Sequence, residues 1–571
     1  MRTLVFGPMP EGARPDSHIA AGAWCFAGRE DKFPGWDGDG PGAPFPLPPD
    51  PFPDADAILD AARSANAEVL RLCRLFAGDG VSEKFSLTAF GPFLLLAAHM
   101  LLERQKRVLD LIALYGGERL RVETVPEGDF SFGDSLDFML RGVQNPSFNH
   151  YVYSRILESA APAGWEAIEN PKAAPAPSFV GPRRSGRDLL RRALLFLLPF
   201  PPAKGFGLWE ILLLSCAVLL NRREMPDASL DFAAYCSAPP RWVFPAERLI
   251  RRCLPTALAE ALGKPLPKTP ASSRGRIGAL RGMSPAYSQD DAYCLRLGVL
   301  RAGGCRLFGI QHGANYGNLK SVGGLPFEYS QHAFFTWGWG AGHANPANAV
   351  PLPHPALLSV AGRHKEEKAV LILVGAEMSS LSYRLKSRPQ SGALVAYRRA
   401  KIAFFNALLA GKTKDMELEY RPYFRVAGGL EDGSYVLSRL PEVKLCAGDL
   451  TRRMLGCRLL VLDHYGTTLH CALAADVPTL AFWRREDWGM DGQSGETLET
   501  LRRAGMLFDD AQSAAARVPD LWDDTERWWK SDAVRAARRL WLERYADIGG
   551  LDRPLGRGRN LLAWFKALRT I

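Results

Sequence analysis

The sequence predicts an α/β protein whose C-terminal third, from about Ala369 to Asp510, is a Rossmann-like lobe, with a largely helical N-terminal region before it and a helical tail after it. Three observations predict this. Short apolar runs alternate with helix-length segments after residue 369, the pattern of a parallel, doubly wound sheet. One of those runs ends in Asp463, and a glycine turn and two threonines then open the next helix. The chain has 571 residues, too many for one hydrophobic core, so two or more domains are expected.

The elements follow in order. Thr3 to Phe6 reads as a strand, and the Pro/Gly-rich stretch Phe33 to Pro53 as an irregular loop. Asp54 is placed to cap a helix over Ala57 to Phe76, and a second long helix fits Leu87 to Ala113. Residues 161–188, rich in Pro, Ala and Gly, read as a linker, and the region to about 285 as mostly helical. A helix over Asp291 to Arg301 leads into a strand, Arg306 to Ile310, that ends at Gln311-His312-Gly313. A further strand, Ala333 to Trp337, ends at Gly338. The last lobe then reads as strand 369–376, helix 392–410, strands 417–421 and 443–447, strand 458–463, helix 467–475, strand 479–483 and a helix near 496–504. Residues 521–568 read as a helical tail rich in Arg and Trp.

Hydrophobic residues make up 47% and charged residues 23%, as in ordinary soluble globular proteins. The net charge of +10 suits an anionic partner. The basic residues are dispersed without a recognised motif, which argues against nucleic acid. Ten cysteines form no CxxC pair, so a zinc or redox centre is not expected, and the start carries no secretory signal. A cytoplasmic protein is expected. Ala193 to Leu220 is strongly apolar, but Pro199, Pro201, Pro202, Lys204 and Glu210 interrupt it. Neither half reaches the ~20 residues of a membrane span. It reads as two core helices with a turn. The alternative is a peripheral contact with the inner membrane, with Arg183, Arg184, Arg187, Arg191, Arg192, Arg222 and Arg223 facing lipid phosphates.

Two motifs carry the candidate chemistry. In Leu459-Leu-Val-Leu-Asp-His-Tyr-Gly-Thr-Thr468, a buried strand delivers Asp463 and His464 to a turn at Gly466. Thr467 and Thr468 then start a helix whose free amides and positive dipole end suit phosphate; the alternative is ordinary threonine capping. In Phe308-Gly-Ile-Gln-His-Gly-Ala-Asn-Tyr-Gly317, Gln311 and His312 end a strand, and Gly313 and Gly317 admit close backbone approach. His312 is a candidate general base or phosphate ligand. Arg421, at a strand end, pairs either with phosphate or with a surface acid. Glu377 and Glu328 are candidates for a base or a ribose ligand. The pairs Asp37/Asp39 and Asp54/Asp56 lie in a loop and at a helix start and read as structural, so no metal site is expected. No Walker A pattern is present, and no GxGxxG opens a helix after a strand.

At these residues the chain resembles a family of transferases encoded in bacterial surface-carbohydrate clusters, of leptospiral type. The resemblance rests on Ala23-Trp-Cys-Phe and Gly91-Pro-Phe-Leu, on Gln311-His-Gly-Ala-Asn-Tyr-Gly and Thr336-Trp-Gly-Trp, and on Asp463-His-Tyr-Gly-Thr-Thr with Pro478-Thr-Leu-Ala-Phe-Trp. The last pattern is similar, more distantly, to capsule Kdo transferases and teichoic-acid glycerophosphotransferases. The resemblance implies a GT-B-like fold of two Rossmann-like lobes. The acceptor lobe would be 1–365 with helical insertions, the nucleotide-sugar donor lobe 366–520, and the tail 521–571 would pack back on both. It implies a metal-independent glycosyltransferase without a cofactor, using a nucleotide sugar, preferably a CMP-activated ulosonic acid such as Kdo or a nonulosonic acid, and a carbohydrate, lipid-linked or protein acceptor. Two departures stand out: Cys471 where the family commonly has Glu, and His332 where it usually has Asp. A sugar-nucleotide epimerase and a non-catalytic nucleotide-binding scaffold subunit are the alternatives.

Overall fold

The structure is a computed structural model of the whole chain. It describes all residues except 39–41, 171–185, 222–226, 269–279, 284–287, 323–324, 343–344, 377–378, 383, 412–415 and 424–428, and except the side chains of 186–189, 191–192 and 325. Its strands form three parallel sheets.

The C-terminal sheet has six strands: β9 (Lys368–Val374), β10 (Glu417–Arg421), β11 (Lys444–Leu445), β12 (Cys457–Leu462), β13 (Thr479–Phe482) and β14 (Leu507–Phe508). Their spatial order is β11-β10-β9-β12-β13-β14, all parallel. Counted from β9 this is 3-2-1-4-5-6, the doubly wound order in which strand direction of travel reverses between the first and fourth strands. β9 and β12 are therefore the switch point, and ligands bind beyond their carboxyl ends. Both are near-continuous apolar runs, VLILV and LLVL, because helices cover both faces of the sheet.

Before residue 366 lie two four-stranded sheets. The first has the order β2-β1-β3-β4, with β1 (Arg2–Val5), β2 (His18–Ala20), β3 (Leu120–Thr124) and β4 (Trp165–Glu169). The second has the order β5-β6-β7-β8, with β5 (Leu280–Met283), β6 (Arg306–Ile310), β7 (Ala333–Thr336) and β8 (Ala349–Pro351). The sequence reading placed only one strand in the first sheet. β4 lies in the stretch read as a linker, because this edge strand buries Trp165 alone and carries no apolar alternation.

Asp54 caps the helix Ala55–Ala77 by accepting from the amides of Asp56 and Ala57. The long helix expected from Leu87 is two helices, Glu83–Ala89 and Gly91–Tyr115, bent by 64°. Pro92 accounts for the break: it has no amide to continue the first helix but is well suited to open the next. Among the described residues no single helix is long and apolar enough to cross a membrane; that bent pair passes the length and composition test jointly.

The stretch Ala193 to Leu220 does contain two helices, Gly186–Leu197 and Leu208–Leu219. They are not wholly core, since Leu197, Leu208, Trp209, Leu219 and Leu220 are exposed. Of the flanking arginines, 183, 184, 222 and 223 and the side chains of 187, 191 and 192 lie outside the described residues.

The tail returns across the molecule. The helix Asp532–Tyr545 buries Trp541 against the C-terminal lobe, and the amide of Asp547 donates to the carbonyl of Trp337 at 2.8 Å. The last helix, Arg557–Thr570, buries Trp564 and Leu568 under the second sheet, beside Phe200, Phe308 and Phe335. A chain end that fills another sheet's core couples the two regions mechanically.

Candidate active site

The two sequence motifs meet. The loop after β6 lies against the start of the helix Thr467–Ala475: the amide of Ala314 donates to Thr467 Oγ1 at 3.3 Å, and the Tyr465 hydroxyl donates to the carbonyl of Ala314 at 2.7 Å. Asn318 Nδ2 also donates to the Tyr465 hydroxyl. The amide of Asp491 reaches the carbonyl of Asn318 at 2.9 Å, so the whole 313–320 loop docks on the C-terminal lobe. Gly317 is required inside this loop. Its φ is +76°, and a Cβ there would come within 2.6 Å of Trp339.

His312 stands at the carboxyl end of β6. Its Nδ1 is 2.9 Å from the Tyr316 hydroxyl, and the buried Glu328 carboxyl interacts electrostatically with that tyrosine from behind. Tyr316 and Glu328 are buried, whereas the imidazole is open to solvent on one side while set deep in the cleft. Crowding, then the Lys386 and Arg384 charges, lower the His312 pKa to about 4, so it is neutral near pH 7. Burial raises the Glu328 carboxyl to about 7, with Tyr316, Arg384 and Lys386 pulling the other way. A negative charge on Glu328 favours turning the Tyr316 proton toward it, so that the hydroxyl oxygen accepts from His312 Nδ1–H. That fixes the tautomer whose Nε2 carries a lone pair, the arrangement a general base needs.

Beside this relay is a cavity of about 420 Å³. His312, Glu328 and Arg384 border it, and Leu87, Pro92, Leu95, Met283, Leu297 and Phe327 give it apolar walls.

Across the cleft, the switch-point strands deliver a second cluster. Asp463 is buried and accepts from the amide of Ala376 at 2.7 Å, while His464 Nδ1 lies 2.9 Å from the same oxygen. Lys401 Nζ is 3.4 Å from Asp463 and 2.6 Å from Asp432. Burial pushes Asp463 upward, but Lys401, His464 and the Ala376 amide outweigh it, and the carboxyl sits below the usual range. Asp463 therefore orients His464 rather than facing a ligand itself.

Gly466, Thr467 and Thr468 are partly open to solvent. No side chain caps this helix, so its leading amides and positive end present toward the facing loop. Gly466 is extended, with φ 179°, and no left-handed turn demands glycine there; a Cβ would press on His464 at 3.2 Å. Thr467 already accepts one protein hydrogen bond, and Thr468 is the less committed of the pair.

Other sequence candidates take different places. Gln311 is buried, and its polar atoms are engaged by Gly313, Trp337 and Trp339, so it braces the loop against Trp337-Gly-Trp339. Gly313 sits beside Thr467, and its extra Cβ would be only in ordinary contact, 3.5 Å from Oγ1. Arg421 Nη1 donates to the carbonyls of Cys446 and Gly448, each at 2.8 Å, clasping the chain beyond β11. Glu377 lies outside the described residues. His332 is buried between Arg306, at 3.2 Å, and Asp227, at 3.5 Å, and accepts from the amide of Ala228. Cys471 is half-buried one turn beyond Thr467.

Sequence reading passed over Tyr316, Lys401 and the basic loop Arg384-Leu-Lys-Ser-Arg388. The loop's signal is the alternation itself. Leu385, Ser387 and Pro389 are buried, and the three cations occupy the other side. Burial first, then the Arg388 and Arg384 charges, push Lys386 well below the usual lysine range.

A Rossmann-ordered lobe thus meets a second parallel α/β region, with His312, Glu328 and the basic residues Arg384 and Lys386 gathered on one side and an uncapped helix start docked on the same loop through Ala314. The model of the LIC12162 family transferases matches residues 2–549, and the chain belongs to that family. No curated protein matches it. Two solved structures are similar at 12% identity each. One is titled Staphylococcus aureus MnaA-UDP co-structure, with a TM-score of 0.31, covering 52% of this chain and 76% of that one. The other is a Thermobaculum terrenum O-GlcNAc transferase mutant, with a TM-score of 0.27, covering 90% and 81%.

Proposed function

We propose that this transferase is a glycosyltransferase of GT-B-like architecture that moves a sugar from a nucleotide donor to a glycan, lipid-linked or protein acceptor in bacterial surface-carbohydrate synthesis, on the cytoplasmic side of the membrane. The favoured donor is a CMP-activated ulosonic acid such as Kdo or a nonulosonic acid. One observation carries the reading: the loop that holds His312 and Tyr316 and the helix that starts at Thr467, far apart in sequence, are in direct contact through Ala314.

In this reading the donor phosphate sits at the helix start and the Thr468 hydroxyl, with Arg384 and Lys386 supplying charge. His312 Nε2 takes the proton of the acceptor hydroxyl. The acceptor oxygen bonds the anomeric carbon as the sugar–phosphate bond breaks, and the leaving nucleotide keeps the electron pair. Charge on its phosphate is balanced by the helix dipole and the side-chain cations, with no metal in the scheme. The cavity beside the relay receives the acceptor.

A thermal-shift panel of CMP, CDP, UDP, GDP, ADP and dTDP, with magnesium or with EDTA, tests it. A magnesium-independent rise for one nucleotide, lost in Thr468→Ala, is the expected result. No shift with any nucleotide would sink the phosphate site. The scaffold alternative draws on Cys471, which puts a thiol where the family commonly has a carboxylate. Nucleotide binding without turnover of any donor would establish it.

A further inference from the structure

Apart from Glu210 in its first turn, helix Leu208–Leu219 is almost wholly apolar, yet only one side of it is covered. Ile211, Leu214, Ser215 and Val218 face the core under the second sheet. Trp209, Leu212, Leu213, Cys216 and Leu219, spaced three and four apart, run along the other side. Trp209 is 75% exposed and Leu219 69%, with Leu208 and Leu220 exposed at the two ends. A soluble helix normally turns polar residues outward, so an outward stripe of this kind marks a binding surface.

The neighbouring helix Arg557–Thr570 says what the surface meets. The two helices lie side by side and run the same way. Arg557 pairs with Glu210 at their starts, at 2.6 Å, and Asn221 holds the carbonyls of Leu568 and Ile571 at their ends. The outward face of the second helix is Arg559, Leu562, Lys566 and Arg569, and its sequence contains no acidic residue. An apolar stripe with a tryptophan at one end is therefore bordered along its length by cations. Trp and Leu suit the headgroup boundary, and Lys and Arg meet anionic lipid phosphates.

We infer that the paired outer faces of Leu208–Leu219 and Arg557–Thr570 are a docking surface for an anionic lipid bilayer, on which the chain lies without crossing it. None of these residues belongs to the His312 relay or the Thr467 helix start, so the surface stands whatever the donor proves to be.

Cys216 offers a direct probe, because it is the exposed cysteine; Cys236 and Cys471 are intermediate and the others buried. The full chain, labelled at Cys216 with a polarity-sensitive maleimide dye, is mixed with phosphatidylglycerol-containing vesicles or with pure phosphatidylcholine vesicles and floated. Flotation and a blue shift with the anionic vesicles only are expected. Leu212→Glu/Leu213→Glu should abolish both, and Lys566→Glu/Arg569→Glu should cut partitioning at least about thirtyfold. These side chains point outward, so an unchanged melting temperature verifies that the variants fold. No flotation with anionic vesicles would overturn the inference. A dimer in solution that Leu219→Glu dissociates would overturn it too, by showing that a second copy covers the face.

Discussion

The Tyr316 hydroxyl and His312 Nδ1 are 2.9 Å apart, four residues from each other on one loop, with the buried Glu328 behind the tyrosine. The pair decides which imidazole nitrogen is left for chemistry. His312→Ala should therefore lower the transfer rate by about 10²–10⁴. Tyr316→Phe should lower it less, since the ring survives without its tautomer lock. Neither should change nucleotide binding measured by thermal shift, and a parallel loss of binding would remove His312 from the base role.

Activity should rise with pH through about 7, where Glu328 ionises, because only the carboxylate draws the Tyr316 proton and so favours the His312 Nδ1–H tautomer. A pH profile of kcat for the wild type and Glu328→Gln checks this, and the variant should lack that limb. Stability should move the opposite way. The folded pKa, about 7, lies above the unfolded value of 4.5, so the stabilisation is full below 4.5 and is lost as pH rises through 7. The loss is on the order of 3 kcal/mol, and Glu328→Gln should flatten it in urea titrations.

Removing Lys386 should raise the His312 pKa, since a nearby cation holds the imidazole neutral. NMR titration of the ring protons in Lys386→Met follows the shift directly. A His312 pKa still near 4 would assign the whole depression to crowding in the cleft.

Asp432 accepts a hydrogen bond from Lys401 at 2.6 Å and forms an ion pair with Arg398 at 2.9 Å, all three buried. Asp432→Asn should leave two buried cations undercompensated and cost about 3–5 kcal/mol in denaturant unfolding. Through Lys401 it should also disturb Asp463 and the set of His464.

The C-terminal lobe was legible in the sequence nearly strand by strand. Strands buried on both faces must be short apolar runs, and helices between them must carry a different period, so the strands near 369–374, 458–462 and 479–482 and the helix 467–475 fall where they were expected. The first sheet was not legible. β2 is three residues long and β4 is an exposed edge, so neither has a period to read. The bend between Ala89 and Gly91 was signalled by Gly91-Pro92, but the continuous apolar stripe around it concealed the break.

For the site, the sequence determined the residue types and their local frames. Asp463 had to end a buried strand, the Gly-Thr-Thr run had to start a helix, and His312 had to leave a sheet at its carboxyl end. These are consequences of backbone geometry over a few residues. Only the tertiary structure decided which of them stay open to solvent and which hold one another. It turned Gln311 and Arg421 inward to brace loops, joined Ala314 to Thr467, and brought Glu328, Tyr316 and Lys386 around His312. Hydrogen bonds and charges act through space over a few ångströms, and the separations along the chain that they span here, up to 153 residues, leave no mark in any local pattern.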